Sequence, residues 1–326
     1  MIEQLERVTL KSGETMDVVM VQAPEPTMRP QILPFLGHKG EPWEIPMAEG
    51  LLEKLPGLEE RFYLGVLNGE IVGNITTVEA LERPVGCLQH VYTDPNHRRK
   101  GICQAVIRNL RDDFARRSGR YMGLGTGYDS PPYWIYHGIG FRGIGQTGLM
   151  EWRREEGFGE RYFAPRPARA RATQWGDWPL LECLYLQEAG WVLRSLRYGC
   201  WGRSSFEGNY VRMVQDTREG HVLGSTVLEC EDGALVGHAL CARDWSYLGH
   251  TYLLDFFIHP HFVEYGAALI EALPLPTGAK VQAHCDGRAA GKVAVLERCG
   301  FAEEARLRQQ VRWEDEWLDV VVWAKV

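Results

Sequence analysis

Three things are scarce in this chain. No stretch approaches the roughly 18 consecutive apolar residues of a membrane-spanning helix, and residues 1–20, MIEQLERVTLKSGETMDVVM, lack the apolar run of a secretory leader. The eight cysteines form no Cys-x-x-Cys pair and no regular framework, so they read as free, mostly buried thiols of a reducing compartment. Positive charge is in deficit: 36 Lys and Arg stand against 43 Asp and Glu, a net charge of −7. A nucleic-acid surface needs a clustered basic face, and none is expected here. Together these absences predict a cytoplasmic protein with neither a membrane nor a nucleic acid as partner.

What remains is ordinary globular composition, 45% hydrophobic and 24% charged over 326 residues. That length predicts two domains. Met16 to Val21 reads as a first strand. Pro30, Pro34, Pro42 and Pro46 break up the stretch from Pro26 to about Lys54. Asn68-Gly69 between two apolar runs, Phe62–Leu67 and Glu70–Ile75, is a hairpin signal. A strand over Cys87–Tyr92 follows. A helix from Gly101 to about Ser118 shows Ile102, Val106, Ile107, Leu110 and Phe114 at helical spacing. Tyr121 to Leu124 is another strand. A short helix over Pro132–Gly138 starts at Ser130 and its prolines. Residues 153–172 lose periodicity, and a further helix is expected over Trp178–Ala189.

Between strand and helix lies His97-Arg98-Arg99-Lys100-Gly101-Ile102-Cys103. Strand, basic glycine-containing turn and helix N-terminus together make an anion site. The first helical amides have no internal partner and carry a partial positive charge. A second block, Tyr136-His137-Gly138-Ile139-Gly140-Phe141, comes downstream. Both recur in weakened form. Gly69–Gly73 matches Gly233–Gly237, Arg98-x-x-Gly101 matches Val263-x-x-Gly266, and Gly140-Phe141 matches Gly300-Phe301, at offsets of 164, 165 and 160 residues. Three anchors in one order predict a tandem duplication of one α/β fold.

On these residues the chain resembles the GNAT superfamily of acyl-CoA-dependent N-acyltransferases. Its pyrophosphate loop, Arg/Gln-x-x-Gly-x-Gly/Ala, stands here as Arg98 to Cys103, with Cys103 in the last small position. Its Tyr-x-x-x-Gly-Phe block stands as Tyr136 to Phe141. The resemblance implies two tandem GNAT-like domains, each a twisted mixed sheet flanked by helices. It places a cofactor-binding, catalytic domain at 1–155, a linker at 156–172 and a degenerate, structural domain at 173–326. It implies acetyl-CoA as co-substrate and a small-molecule primary amine as acceptor, in a monomer or homodimer. Cofactor contacts fall on Val91, Tyr92, Arg98, Arg99, Lys100, Gly101, Ile102 and Cys103. Thr126 joins them, because Gly123–Gly127 reads as a splayed strand end beside the cofactor rather than a dinucleotide loop.

The transfer needs a neutral amine, a polarised thioester carbonyl and help for the leaving thiolate. The resemblance gives the carbonyl to a backbone amide near Gln89–Tyr92 and the thiolate to Tyr136. A free phenol titrates near 10 and a thiol near 8.5, so Tyr136 is expected to donate a hydrogen bond rather than transfer its proton fully. His90 is the candidate base, with Glu79 and Glu82 nearby in sequence. Asp129 and Ser130 either line the mouth or cap the short helix. No metal is expected: His259-Pro260-His261 lacks a third ligand. In the second copy Val263 replaces the arginine, Glu264 brings a carboxylate to the phosphate position and Leu296 replaces the tyrosine, so that copy is expected to have lost the chemistry. A non-catalytic acyl-CoA-binding regulator or scaffold is the other reading.

Overall fold

The computed structural model describes residues 1–326. The chain divides into two compact units, Met1–Phe158 with Gln174–Cys183, and Gly159–Thr173 with Leu184–Val326.

The first unit runs β1 (Ile2–Thr9), β2 (Thr15–Gln22), α1 (Arg29–Leu36), α2 (Glu44–Gly50), β3 (Leu58–Leu67), β4 (Glu70–Ala80), β5 (Val85–Thr93), α3 (Ile102–Arg116), β6 (Tyr121–Gly125), α4 (Pro131–Gly138), β7 (Arg142–Gly143) and β8 (Leu149–Arg153). Its eight strands form one sheet in the order β1-β2-β3-β4-β5-β6-β8-β7. All pairings are antiparallel except β5 with β6. The segment Met16–Val21 is therefore the second strand. Its predecessor β1, IEQLERVT, is an edge strand with most of its side chains in solvent. Such a strand carries little apolar signal and is hard to see in sequence.

Helix α3 covers one face of the sheet. Ile102, Val106, Ile107, Leu110 and Phe114 are its buried stripe, as the spacing predicts. Gly65 and Gly73 let its first turn lie flat on β3 and β4. A Cβ on Gly73 would fall 2.7 Å from Ile102 Cγ2, and one on Gly65 3.2 Å from the same atom. The opposite face takes α1 and α2, whose Ile32, Leu36 and Met47 pack on Val21, Phe62 and Leu64. Pro30 and Pro34 lie in α1 and Pro46 in α2, so the proline-rich stretch folds as two short helices rather than one long one.

The chain continues with α5 (Phe158–Tyr162), β9 (Ala168–Ala172), α6 (Trp178–Tyr185), β10 (Leu193–Ser195), β11 (Cys200–Trp201), α7 (Glu207–Arg218), β12 (Val222–Cys230), β13 (Leu235–Asp244), β14 (Thr251–Ile258), α8 (Gly266–Glu271), β15 (Val281–Asp286), α9 (Ala290–Arg298), β16 (Ala302–Trp313) and β17 (Glu316–Lys325), all in the second unit except Phe158 of α5 and the part of α6 up to Cys183, which belong to the first. The stretch 156–172 thus holds a helix and a strand. Helix α6 stops at Tyr185 instead of Ala189. The buried Arg194 guanidinium draws off the carbonyls of Tyr185 and Gln187 at 2.6 and 2.7 Å, which ends the helical ladder.

The second sheet has the order β16-β17-β15-β14-β13-β12-β9. From β2 to β7 the first sheet follows the same order, with β14 and β15 as the parallel pair in place of β5 and β6. Two large mixed sheets with one order, each flanked by helices, are the tandem arrangement that the three sequence anchors predict.

Candidate active site

The parallel pair β5–β6 stays together for three residues only, from Val85↔Tyr121 to Cys87↔Gly123. Beyond Cys87 the strands part, and the β6-facing amides of β5 lose their ladder partners. Just there β5 bulges: Asn74 pairs with Tyr92 and Thr76 with Gln89, so one residue of β4 faces two of β5. His90 takes the left-handed conformation, φ +51°, inside the bulge. Its displaced carbonyl accepts a hydrogen bond from Asn74 Nδ2 at 2.9 Å.

The gap opens onto a cleft of about 590 Å³. Val91, Tyr92 and Thr93 form one wall, Pro131, Pro132 and Ile135 of α4 another, and the loop from His97 to Gln104 the floor. Arg99 and Gly101 both have positive φ, +64° and +92°. Glycine is required at 101 by this backbone. A Cβ there would meet only Lys11 side-chain carbons at 3.7 Å or more. The turn brings the chain straight into α3, whose first backbone bond runs from the Ala105 amide to Gly101 O. The amides of Ile102, Cys103 and Gln104 are left at the helix start, where the dipole favours an anion.

The expected cofactor residues divide into two groups. Val91, Tyr92, Arg98, Arg99, Gly101, Ile102 and Cys103 all line the cleft. Tyr92 is held there by Phe35, edge-on at 5.1 Å, and by His38 at 4.0 Å. Burial pushes the Cys103 thiol up to about 11, so it stays protonated and acts as a small apolar group. Lys100 turns away and pairs with Glu14 at 2.8 Å. Together with the Lys11 amide on Lys100 O at 3.1 Å, that bond fastens the loop to the β1–β2 turn. Thr126 is tied to Gly148 O through its backbone amide at 2.9 Å and does not line the cleft.

Neither candidate for the chemical step lines the cleft. Tyr136 is buried in the core beneath α4, edge-on to Phe141 at 6.0 Å. His90 is buried on the α1–α2 face, edge-on to Trp43 at 5.5 Å. Burial, with Lys39 and His38 nearby, lowers its imidazole to about 3, so it is neutral at working pH. Ser130 caps α4, accepting from the Tyr133 amide, while Asp129 takes the Trp134 indole N–H at 2.8 Å. Glu79 is committed to Arg117 at 2.6 Å. Sequence reasoning missed Lys11 and Gln104 in the cleft lining, and gave His97, the first residue of the basic run, no cofactor contact. Of these, Lys11 comes from a hairpin turn some 90 residues upstream, where no local pattern marks it.

Residues 30–137 match the acetyltransferase (GNAT) family. This stretch is a GNAT domain. It spans the bulged strand, the anion loop and the start of α4, so the cleft is built entirely by the GNAT domain and the β1–β2 turn beside it. Among solved structures, an N-acetyltransferase from Staphylococcus aureus Mu50 is 15% identical, with a TM-score of 0.40 over 49% of this chain and 98% of that one. A phosphinothricin acetyltransferase from Sinorhizobium meliloti in complex with acetyl-CoA is 18% identical, with a TM-score of 0.41 over 49% and 88%. A spermidine N-acetyltransferase from Vibrio cholerae, with CoA and spermine, is 17% identical, with a TM-score of 0.38 over 48% and 94%. No curated protein matches the chain.

In the second unit the histidines of the His259-Pro260-His261 run are taken up structurally. His259 stacks on Phe163 at 4.6 Å, and His261 Nδ1 bonds Phe163 O at 2.8 Å. Asp216, Glu219 and His221 bring one ligand atom each within 4.8 Å of one another. Asp216 is already held by Arg197 and the Tyr198 hydroxyl, at 2.8 and 2.9 Å. No helix is long and apolar enough to cross a membrane.

Proposed function

We propose that the first unit is an N-acetyltransferase that moves an acetyl group from acetyl-CoA directly to the primary amine of a small molecule. The observation that carries this reading is the β5–β6 gap: a bulged strand edge with free amides opens beside an unblocked helix start and two arginines. Acetyl-CoA supplies an activated thioester and a pyrophosphate. The pyrophosphate fits the amides of Ile102, Cys103 and Gln104, with Arg98, Arg99 and Lys11 adding charge. The unpartnered β5 amides suit the thioester arm and its carbonyl oxygen, where a donor stabilises the charge that grows as nitrogen attacks.

The amine nitrogen attacks the carbonyl carbon, the carbon–sulfur bond breaks, the thiolate takes up a proton and the new amide nitrogen loses one. In this reading Tyr136 serves the thiolate as a hydrogen-bond donor. His90, neutral and weakly basic, acts as a hydrogen-bond acceptor for the amine rather than as a strong base. The second unit is structural, and the protein works in the cytoplasm as a monomer or homodimer.

The burial of Tyr136 and the weak basicity of His90 favour one alternative, an acyl-CoA-binding protein without turnover. Calorimetry with acetyl-CoA, followed by thiol release across an amine panel for wild type and Tyr136→Phe, separates the two. The transferase reading expects binding, turnover on some amine, and a rate loss of about 10²-fold in Tyr136→Phe. Binding with no thiol release on any amine would leave the regulator, and no binding would remove both.

A further inference from the structure

The two sheets can be compared position by position on the face turned away from α3 and α8. In the first, Phe62, Thr76 and Gln89 stand in one row and Leu64, Asn74 and Tyr92 in the next. In the second, the rows are Ser225, Leu240, Asp255 and Val227, His238, Phe257. Gln89 therefore corresponds to Asp255, and Asn74 to His238.

In the second unit the chain itself satisfies these groups. Asp255 accepts from the Ser195 hydroxyl at 2.8 Å and from the amides of Leu196 and Arg197 at 3.1 and 2.8 Å. His238 is held between the Tyr185 hydroxyl at 3.0 Å and Ser225 Oγ at 2.9 Å. Hydroxyl and amide donors from residues 185–197 fill the face.

In the first unit α1 and α2 cover this face with apolar side chains and leave polar atoms on it unpaired. Gln89 Oε1, Asn74 Oδ1, Glu60 Oε2 and His90 Nε2 are all without a hydrogen-bond partner. The four residues are only 2%, 1%, 5% and 7% exposed. Buried polar atoms are paired in the great majority of cases, and four orphans on three adjacent strands are not scattered exceptions. They sit on one face, at the bulge that opens the cofactor cleft. Two of the four, Gln89 Oε1 and Asn74 Oδ1, are amide oxygens that only accept. Burial holds the Glu60 carboxyl up at about 8, the state of an acid with no cation beside it.

We infer that this face is the acceptor site, built for a small amine that carries several further N–H or O–H donors. Its partners are Glu60, Asn74, Gln89 and His90. The inference rests on the acetyltransferase reading and deepens it. A simple alkylamine offers one ammonium and leaves the remaining oxygens buried and unpaired, a penalty that sites of this kind use to reject it.

The test measures binding by calorimetry and KM for two donor-rich amines, 1,3-diaminopropan-2-ol and glucosamine, and two donor-poor ones, n-butylamine and cyclohexylamine. Wild type, Gln89→Met and Glu60→Met are compared, with acetyl-CoA affinity and melting temperature read on each. The expected result is a preference of about tenfold or more for the donor-rich pair, reduced about tenfold in each variant. Acetyl-CoA affinity stays unchanged, and the melting temperature holds or rises, because a buried orphan has been removed. Equal affinity for the two pairs, binding of none of the four, or a lowered melting temperature with the preference intact would overturn the inference while the cofactor reading stood. Wild type that fails to bind acetyl-CoA would overturn both.

Discussion

The same strand gap is open in one unit and filled in the other. β5 leaves β6 after three paired residues, and β14 leaves β15 after three. In the first unit a cleft of about 590 Å³ lies at that point, floored by the anion loop. In the second, residues 192–197 lie against the gap. Asp286 accepts the Val192 and Leu193 amides at 3.0 and 2.8 Å, and the buried Lys292 ammonium donates to Leu193 O at 3.1 Å. The two glycines at the helix start complete the contrast. Gly101 has φ +92°, and only the Lys11 side chain, at 3.7 Å or more, lies near where its Cβ would be. Gly266 is right-handed, φ −61°, and a Cβ on it would fall 2.4 Å from Val295 Cγ2. A gap between parallel strands is thus a property of the fold. Whether it binds a ligand depends on what the chain puts into it.

The sharpest way to break this contrast is to damage each glycine in turn. Gly101→Glu places a carboxylate among the loop amides and strains a left-handed backbone. Acetyl-CoA affinity should fall by at least about a hundredfold in calorimetry, with the melting temperature only slightly lower. Gly266→Ala should do the reverse. Its methyl group overpacks against Val295 and should cost about 2 kcal/mol in denaturant unfolding, leaving the acetyl-CoA affinity of the folded protein unaltered. If the Gly266 variant lost the ligand and the Gly101 variant did not, the roles of the two copies would have to be exchanged.

Charge around the loop sharpens the comparison further. Arg98 lines the cleft and reaches back to Thr93 O at 3.2 Å, whereas Val263 stands at its place in the second copy. Arg98→Ala should weaken acetyl-CoA binding by about tenfold, and the loss should shrink as salt rises. An unchanged affinity at low salt would put the phosphates elsewhere.

Buried histidines predict what the units share. His90 and His238 are both pushed by burial down to about 3, from an ordinary value of 6.5. Below pH 6.5 the unfolded chain takes up a proton at each position and the folded chain does not. Stability is therefore complete above that pH and falls as pH drops from 6.5 towards 3. The slope is up to about 1.4 kcal/mol per pH unit for each histidine. His90→Gln and His238→Gln should each flatten the acid limb of a melting-temperature profile, each in its own unit. A limb of the same steepness in both variants would show that neither histidine is held neutral by its surroundings.

How much of this was legible in sequence follows the range of each interaction. The Asn68-Gly69 turn, the apolar stripe of α3 and the Ser130 cap are set by residues within a few positions, and all appear where the pattern puts them. So does the basic loop from His97 to Cys103, because a strand, a basic turn and a helix start are contiguous. The contact that holds the bulge was not legible, since Asn74 reaches across strands to His90 O. Nor was the filled gap of the second copy, because Leu193 and Asp286 are 93 residues apart. Glu60 reads as an ordinary charged residue until the structure shows it buried beneath Gly50, whose Cβ would fall 2.3 Å from its Oε2.

Lys100 is where sequence and structure part most usefully, and it gives the smallest predicted effect. The resemblance assigns it to the cofactor, yet its ammonium pairs with Glu14 and faces His97 Nδ1 at 3.4 Å. Its bonds hold the loop in place, and on the proposed function the phosphates fall to its neighbours. Lys100→Met should therefore weaken acetyl-CoA binding by only about twofold. Glu14→Gln should produce the same small loss, although it removes a negative charge and would strengthen phosphate binding if charge alone mattered. Opposite signs from the two variants would return Lys100 to the phosphate site. Matching signs would make the β1–β2 turn a working part of the open gap, with no counterpart required where the gap is filled.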